Sequence, residues 1–181
     1  MTGIEAMNIL IISSSLSSQS RSRQMAEYAH KQLQAAGARV EFVDLREFTL
    51  PLCDGENTYA HPAVKQLSAM VESALGILVA TPIYNYDVNA ALKNMVELTG
   101  RYWTDKVVGF MCSAGGKNSY MSILSLANSL MLDFRSIIIP RFVYSNGSGS
   151  METDLDDAIK QRIDQLNQEL LRFVRGLKSS V

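Results

Sequence analysis

Residues Ile77–Asn94 read ILVATPIYNYDVNAALKN, and the fold class turns on them. The apolar run Ile77–Ala80 is too short for a helix and is flanked by turn formers, which predicts a strand buried on both faces. Pro82 lacks a backbone donor and biases Thr81 toward extended geometry. The strand is therefore expected to stop at Thr81-Pro82 and to give way to a loop carrying Tyr84, Asn85, Tyr86 and Asp87. Helical periodicity resumes at Val88. A buried strand, an aromatic loop at its carboxyl end and then a helix is the arrangement at which open α/β sheets bind ligands.

Working outward toward the amino terminus, Asn8–Ser13 (NILIIS) is a second short apolar strand, and six of the nine residues from Ser14 to Ser22 are serine. Helical spacing starts near Arg23 and stops at Gly37, after which Arg39–Asp44 alternates as a strand. The stretch Leu45–Ala60 has no clear period and reads as an ordered surface excursion near the site. Pro62 opens a helix that puts Val64, Leu67, Val71 and Ala74 on one stripe.

Toward the carboxyl terminus, the central helix runs to Gly100, Lys106–Ser113 is a strand, and Gly115-Gly116 lies in the loop beyond it. The segment Tyr120–Leu132 is apolar on more sides than one buried stripe requires, which points to contact with a second subunit. Ser136–Tyr144 is a strand in which Pro140 signals an edge or a bulge, Ser145–Ser150 is a loop, and Thr153 is the candidate cap of a last helix with Asp156 and Asp157 in its first turn. Five strands alternating with five helices predict an α/β three-layer, doubly wound sandwich around a five-stranded parallel sheet of flavodoxin-like order 2-1-3-4-5. The crevice of such a sheet lies between strands one and three, so the serine loop and the TPIYN loop converge on it.

The 181 residues, 47% hydrophobic and 19% charged, fit one domain over 1–181, with 1–6 as a flexible lead-in. A net charge of −1 without runs of one sign argues against a nucleic-acid partner and for a small molecule. Two cysteines, Cys53 and Cys112, do not make a disulfide framework, and neither a signal peptide nor a membrane span is evident. A cytoplasmic protein without membrane contact is the expectation.

A phosphate needs several donors at short range and no desolvated carboxylate. The serine loop offers the hydroxyls of Ser15, Ser17, Ser20 and Ser22, a helix N-terminus and the guanidinium of Arg21 or Arg23, with no acid from Asn8 to Gln24. The same residues also read as a flexible turn with a helix cap at Ser20 or Ser22. GxGxxG is absent, which favours a monophosphate over a dinucleotide. Tyr84 suits stacking on a flat ring and Asn85 suits its polar edge, the favoured reading over Tyr84 as a plug for the end of the sheet. Ser113, Gly115 and Gly116 form either a third wall that a planar ligand approaches or an ordinary turn. His30 and His61 read as surface or capping residues, and no His, Cys and carboxylate cluster has metal-ligand spacing.

Ser14-Ser15 through Ser22, the run Thr81-Pro82-Ile83-Tyr84-Asn85 and Leu92-Lys93-Asn94 together resemble the NADPH-dependent FMN reductases of the flavodoxin-like superfamily, whose relatives reduce flavins, quinones, chromate and azo compounds. The resemblance implies bound FMN, with Ser15, Ser20 and Ser22 on its phosphate and Pro82, Ile83, Tyr84 and Asn85 holding its ring. It further implies Ser113, Gly115 and Gly116 on the far side of the ring, NADPH or NADH as co-substrate, and a homodimer or homotetramer. Ser14 stands where the family usually has Gly, Ser17 where it often has Arg, and Asn89-Ala90 where it often has Pro-Gly or Ser-Gly. Arg21 is then the candidate for the phosphate contact. The implied activity is ping-pong hydride transfer from nicotinamide through the flavin to a quinone, azo compound, metal oxyanion or free flavin, with no catalytic side chain required. The alternative is a flavodoxin-like electron carrier, disfavoured by the nearly neutral charge; a phosphoacceptor receiver domain would need acids where Ser13 and Thr81 stand.

Overall fold

A computed structural model describes residues 7–146 and 154–178. In chain order the elements are β1 (Asn8–Ser13), α1 (Arg21–Ala35), β2 (Arg39–Asp44), α2 (Pro62–Ser73), β3 (Gly76–Tyr84), β4 (Asp87–Val88), α3 (Ala90–Thr99), β5 (Val107–Ala114), α4 (Leu124–Phe134), β6 (Ile137–Ile138), β7 (Val143–Asn146) and α5 (Asp157–Lys178). The sheet runs β2-β1-β3-β5-β6, all parallel, which is the expected 2-1-3-4-5 order with β5 as its fourth strand.

The sheet has seven strands rather than five, for two local reasons. The fifth strand is split: β6 pairs with Val107–Val108, and β7 pairs farther along β5 with Met111–Ala114. Pro140 falls in the gap, where its missing N–H removes a rung of the ladder. The second difference concerns β3, which does not stop at Thr81-Pro82. It pairs with β5 through Thr81↔Cys112 and Pro82↔Ser113 and runs on to Tyr84. Pro82 is tolerated because the Ala80 carbonyl accepts from Ser14 N–H at 2.9 Å, so Ala80 faces β1. Pro82, two residues on, presents its nitrogen to the same side, where β1 has already ended at Ser13. The expected loop is therefore a hairpin: Tyr84 pairs antiparallel with Asp87 and Ile83 with Val88. Asn85 and Tyr86 make the turn with φ of 51° and 63°, the left-handed values that two-residue hairpins demand. With Val88 in a strand, α3 starts at Ala90.

On one face α1 and α5 bury Met25, Ala29, Leu33, Ile163, Leu166 and Leu170 against Ile9, Ile11 and Leu78. The opposite face packs Leu67 and Val71 of α2, Leu92 and Met95 of α3, and Leu126 and Leu130 of α4 against Leu10, Ile77, Val79 and Phe110. Burial on both faces explains why the strands read as continuous apolar runs. Close approach of α5 depends on Gly76 and Gly109. A Cβ at Gly76 would sit 2.8 Å from Leu170 Cδ1 and 2.9 Å from Val174 Cγ2, and one at Gly109 would sit 3.0 Å from Leu166 Cδ1.

Helix ends follow the local chemistry. Ser20 caps α1, which begins at Arg21 rather than Arg23, and Gly37 follows its end at φ 83°. His61 caps α2 through Nδ1, 3.2 Å from Ala63 N, as a capping role predicts. His30 lies on α1 with its ring centroid 5.5 Å from that of Phe42. The helix expected over Tyr120–Leu132 opens instead as a 3-10 turn, Tyr120–Ile123, because no side chain caps it, and α4 then runs Leu124–Phe134. Asp156 caps α5, its Oδ1 accepting from Ile159 N–H at 2.9 Å. Of the loop expected over Ser145–Ser150, Ser145 and Asn146 instead end β7 by pairing with Ser113 and Ala114, and the rest of it, Thr153 and residues 1–6 lie outside the described residues.

Candidate active site

A cleft of about 650 Å³ opens at the carboxyl ends of β1, β3 and β5. The serine loop contributes Ser15, Ser17, Ser20 and Arg21; β3 contributes Pro82, Ile83 and Tyr84; the end of β5 contributes Ser113 and Gly115. All nine are residues that the sequence singles out. Ser18, Gln19 and Ala114 complete the lining, and no carboxylate among the described residues belongs to it.

The loop holds its shape through its own hydroxyls. Ser17 N–H donates to Ser15 Oγ at 3.3 Å, and Ser17 Oγ donates to the Gln19 carbonyl at 2.9 Å. Ser20 Oγ accepts from Arg23 N–H at 3.2 Å and lies 3.0 Å from Ser22 Oγ. Ser15 Oγ thus spends a lone pair inside the loop, and its O–H has no acceptor among the described residues. The N-terminus of α1, with Ser20 and Arg21 in the lining, adds a positive dipole end. Arg21 lines the cleft and also donates from Nη1 to the Gln24 side chain at 3.3 Å and pairs with Asp156 at 3.6 Å. Arg23, the other cation of this stretch, turns to Asp44 at 2.9 Å. Burial pushes the Asp44 carboxyl up and Arg23 pulls it back down.

Three of the residues singled out from sequence are not brought to the cleft wall. Ser22 is fully buried behind Ser20, Asn85 sits in the hairpin turn, and Gly116 gives its carbonyl to the Tyr144 hydroxyl. Tyr84 does not plug the sheet, since 55% of it is exposed at the cleft edge. A Cβ at Gly115 or Gly116 would meet nothing within 4 Å, so no neighbouring atom of the chain requires either glycine.

Two amides, known from the sequence only as part of the LKN motif and as a departure from the family pattern, tie the elements around the cleft together. Asn89, 6% exposed, donates from Nδ2 to the Ser14 carbonyl at 2.7 Å, while its Oδ1 accepts from Ser14 Oγ at 2.8 Å and Thr81 Oγ1 at 3.2 Å. Asn94 donates to the Pro51 carbonyl and accepts from Cys53 N–H, both at 2.9 Å, and so moors the Leu45–Ala60 excursion to α3. The sequence places Asn89 at the cap of α3 and Asn94 inside the same helix, but gives no sign of these partners. Burial pushes the Cys112 thiol up to about 12, which leaves it a packing residue, and no cluster of His, Cys, Asp and Glu able to hold a metal occurs among the described residues.

Residues 7–149 match the sequence profile of the NADPH-dependent FMN reductases. The chain belongs to that family. Among curated relatives, the NADPH azoreductase of Bacillus sp. (strain OY1-2) is 26% identical over 174 residues, covering 95% of each chain. The NAD(P)H-dependent FAD/FMN reductase of Geobacillus thermodenitrificans is 26% identical over 145 residues, covering 77% of this chain and 78% of its own. Of solved structures, the apo form of an NADH:FMN oxidoreductase superposes with a TM-score of 0.79 at 17% identity, over 92% of this chain and 89% of that one. An archaeal flavodoxin superposes at 0.65 with 12% identity, over 93% of this chain and 99% of that one. These two likenesses carry the fold alone.

As an FMN reductase family member the protein is an oxidoreductase that uses FMN with NAD(P)H. The donor set of the cleft fits that cofactor. Hydroxyls, a helix N-terminus and one guanidinium stand at one end, an exposed aromatic ring stands at the other, and among the described residues no carboxylate that would repel a phosphate lines the space.

Proposed function

We propose that the cleft seats FMN and that the protein passes reducing equivalents from NAD(P)H to a flat aromatic acceptor, a quinone or azo compound, ahead of metal oxyanions or free flavin. The observation that carries this reading is the convergence of the serine loop, Tyr84 and the Ser113–Gly115 wall on one acid-free space. Bound FMN supplies the two-electron chemistry. The side chains orient it: Ser15, Ser17, Ser20 and Arg21 at the phosphate, Pro82, Ile83 and Tyr84 along the ring, Ser113 and Gly115 across from them. Asn85, in the hairpin turn at the ring end, and Ser22 and Gly116, each one residue beyond the lining, support these groups. The acceptor preference draws on the aromatic rim. Tyr84 and Tyr86 are exposed, and Tyr120 stacks 4.8 Å from Phe142 and 5.5 Å from Tyr144, whose hydroxyl reaches Gly116.

The test is a titration with FMN followed by NADPH and NADH oxidation against a panel of quinones, azo dyes, chromate and free FMN. Binding of FMN with turnover fastest on the aromatic acceptors is expected; no quenching of FMN fluorescence overturns the reading, and FMN binding without nucleotide oxidation would instead assign a flavodoxin-like carrier. We further infer a cytoplasmic homodimer or homotetramer. Support comes from Leu124, Met131 and Leu132, which α4 leaves 47%, 42% and 79% exposed. A monomeric mass in light scattering would contradict it. No helix among the described residues is long and apolar enough to cross a membrane.

A further inference from the structure

We propose that Asn89 is a positioning residue: its carboxamide fixes the phosphate end of the cleft relative to the ring end. The inference rests on the reading that FMN occupies the cleft, and it concerns a residue that does not line it.

Asn89 occupies the N-cap position of α3, where an Asn side chain ordinarily accepts a hydrogen bond from its own helix and contributes about 1 kcal/mol. Here no such bond forms. The carboxamide is turned away from α3 and spent on other elements, and 6% of the residue is exposed. Nδ2 donates to the Ser14 carbonyl at 2.7 Å, and Oδ1 accepts from the Ser14 hydroxyl at 2.8 Å. One amide therefore grips both the backbone and the side chain of the residue that opens the serine loop. The same Oδ1 lies 3.2 Å from Thr81 Oγ1, whose one O–H it shares with the Pro82 carbonyl at 3.1 Å, one residue before the Pro82–Tyr84 wall. Ser14 N–H adds a bond to the Ala80 carbonyl at 2.9 Å.

Ser14 is the last point at which the loop is tied to the sheet before Ser15; its carbonyl is held by Asn89, and its hydroxyl has Asn89 Oδ1 at 2.8 Å as a nearer acceptor than the Ala80 carbonyl at 3.3 Å. Beyond that point the loop is held by its own bonds, Ser17 N–H to the Ser15 hydroxyl and the Ser17 hydroxyl to Gln19. Releasing Ser14 lets the hydroxyl set drift as a unit relative to Tyr84, whose own place is kept by pairing with Asp87. The predicted signature is selective. Grip on the phosphate weakens, whereas contacts to the ring persist.

The full chain, freed of flavin, is titrated with FMN and separately with riboflavin, which carries the same ring without the phosphate, reading flavin fluorescence. For Asn89→Ala the dissociation constant for FMN rises about tenfold or more, the scale of losing buried hydrogen bonds, while that for riboflavin moves far less. Ser14→Ala keeps the Nδ2 bond to the carbonyl and shows a smaller shift of the same kind. It carries the test if Asn89→Ala does not fold, as judged by circular dichroism and thermal melting. Equal weakening of both ligands would reduce Asn89 to a stability role and overturn the proposal, as would unchanged FMN binding. A wild-type chain that fails to bind FMN overturns the functional reading itself, an outcome distinct from wild-type binding with indifferent variants.

Discussion

Asn94 makes two hydrogen bonds to a segment some forty positions earlier in the chain, to the Pro51 carbonyl and to Cys53 N–H. Replacing it by Ala strands both backbone groups, and a loss of about 1–3 kcal/mol is expected. Thermal melting measures the loss, and faster proteolysis within Leu45–Ala60 locates it. The residues legible in the sequence are those whose chemistry is local. Ser20 reads as a cap because the helix it caps begins at the next residue. The place of Tyr84 at a sheet end is legible because an apolar strand delivers it there. Asn89 and Asn94 were not legible in the same way, because their partners lie far off in sequence and only the packing of α3 beside the loops brings them into reach. Asn85 shows the converse limit: an amide in a promising loop serves a turn whose left-handed φ it tolerates.

At the level of elements, the central strand was legible and its end was not. Pro82 is a sound stop signal in isolation, but it is overruled once β1 has ended and its nitrogen faces no partner. The approach of α5 to the sheet depends on missing side chains. Gly76→Ala pushes a methyl group into Leu170 and Val174, both buried, and is expected to destabilise by about 1–3 kcal/mol as an overpacked site does; chemical denaturation measures it. The excursion after β2 has its own electrostatic latch. Asp54 accepts from Glu56 N–H, Thr58 N–H and Thr58 Oγ1, which hold its carboxyl near 2 instead of the ordinary 3.8. A depressed folded value means that the contribution is complete above the unfolded value and is lost as pH falls through the folded one. Wild type should therefore exceed Asp54→Asn in denaturant midpoint at pH 5, with the gap closing between about pH 4 and pH 2. A gap that persists unchanged to pH 2 would show that the hydrogen bonds do not depend on the charge.

Across the whole molecule, the strand order was readable because alternation of short apolar runs with amphipathic helices leaves few topologies open to a parallel sheet. The division of the last strand was signalled only by Pro140, whose effect depends on which side of the strand is unpaired. That division also bears on how many copies of the chain behave when crowded together. A sheet edge is a template for a neighbour's backbone, and long flat edges invite stacking into fibres. Here the outer edge is cut into pieces of two and four residues, and the residues between them include a proline that cannot donate. Pro140→Val would restore a donor and allow a continuous β-branched run from Ile137. Its expected cost appears not in folding but in faster loss of soluble protein and earlier thioflavin binding on mild heating, whereas identical time courses would mean that the edge is guarded by something other than its interruption.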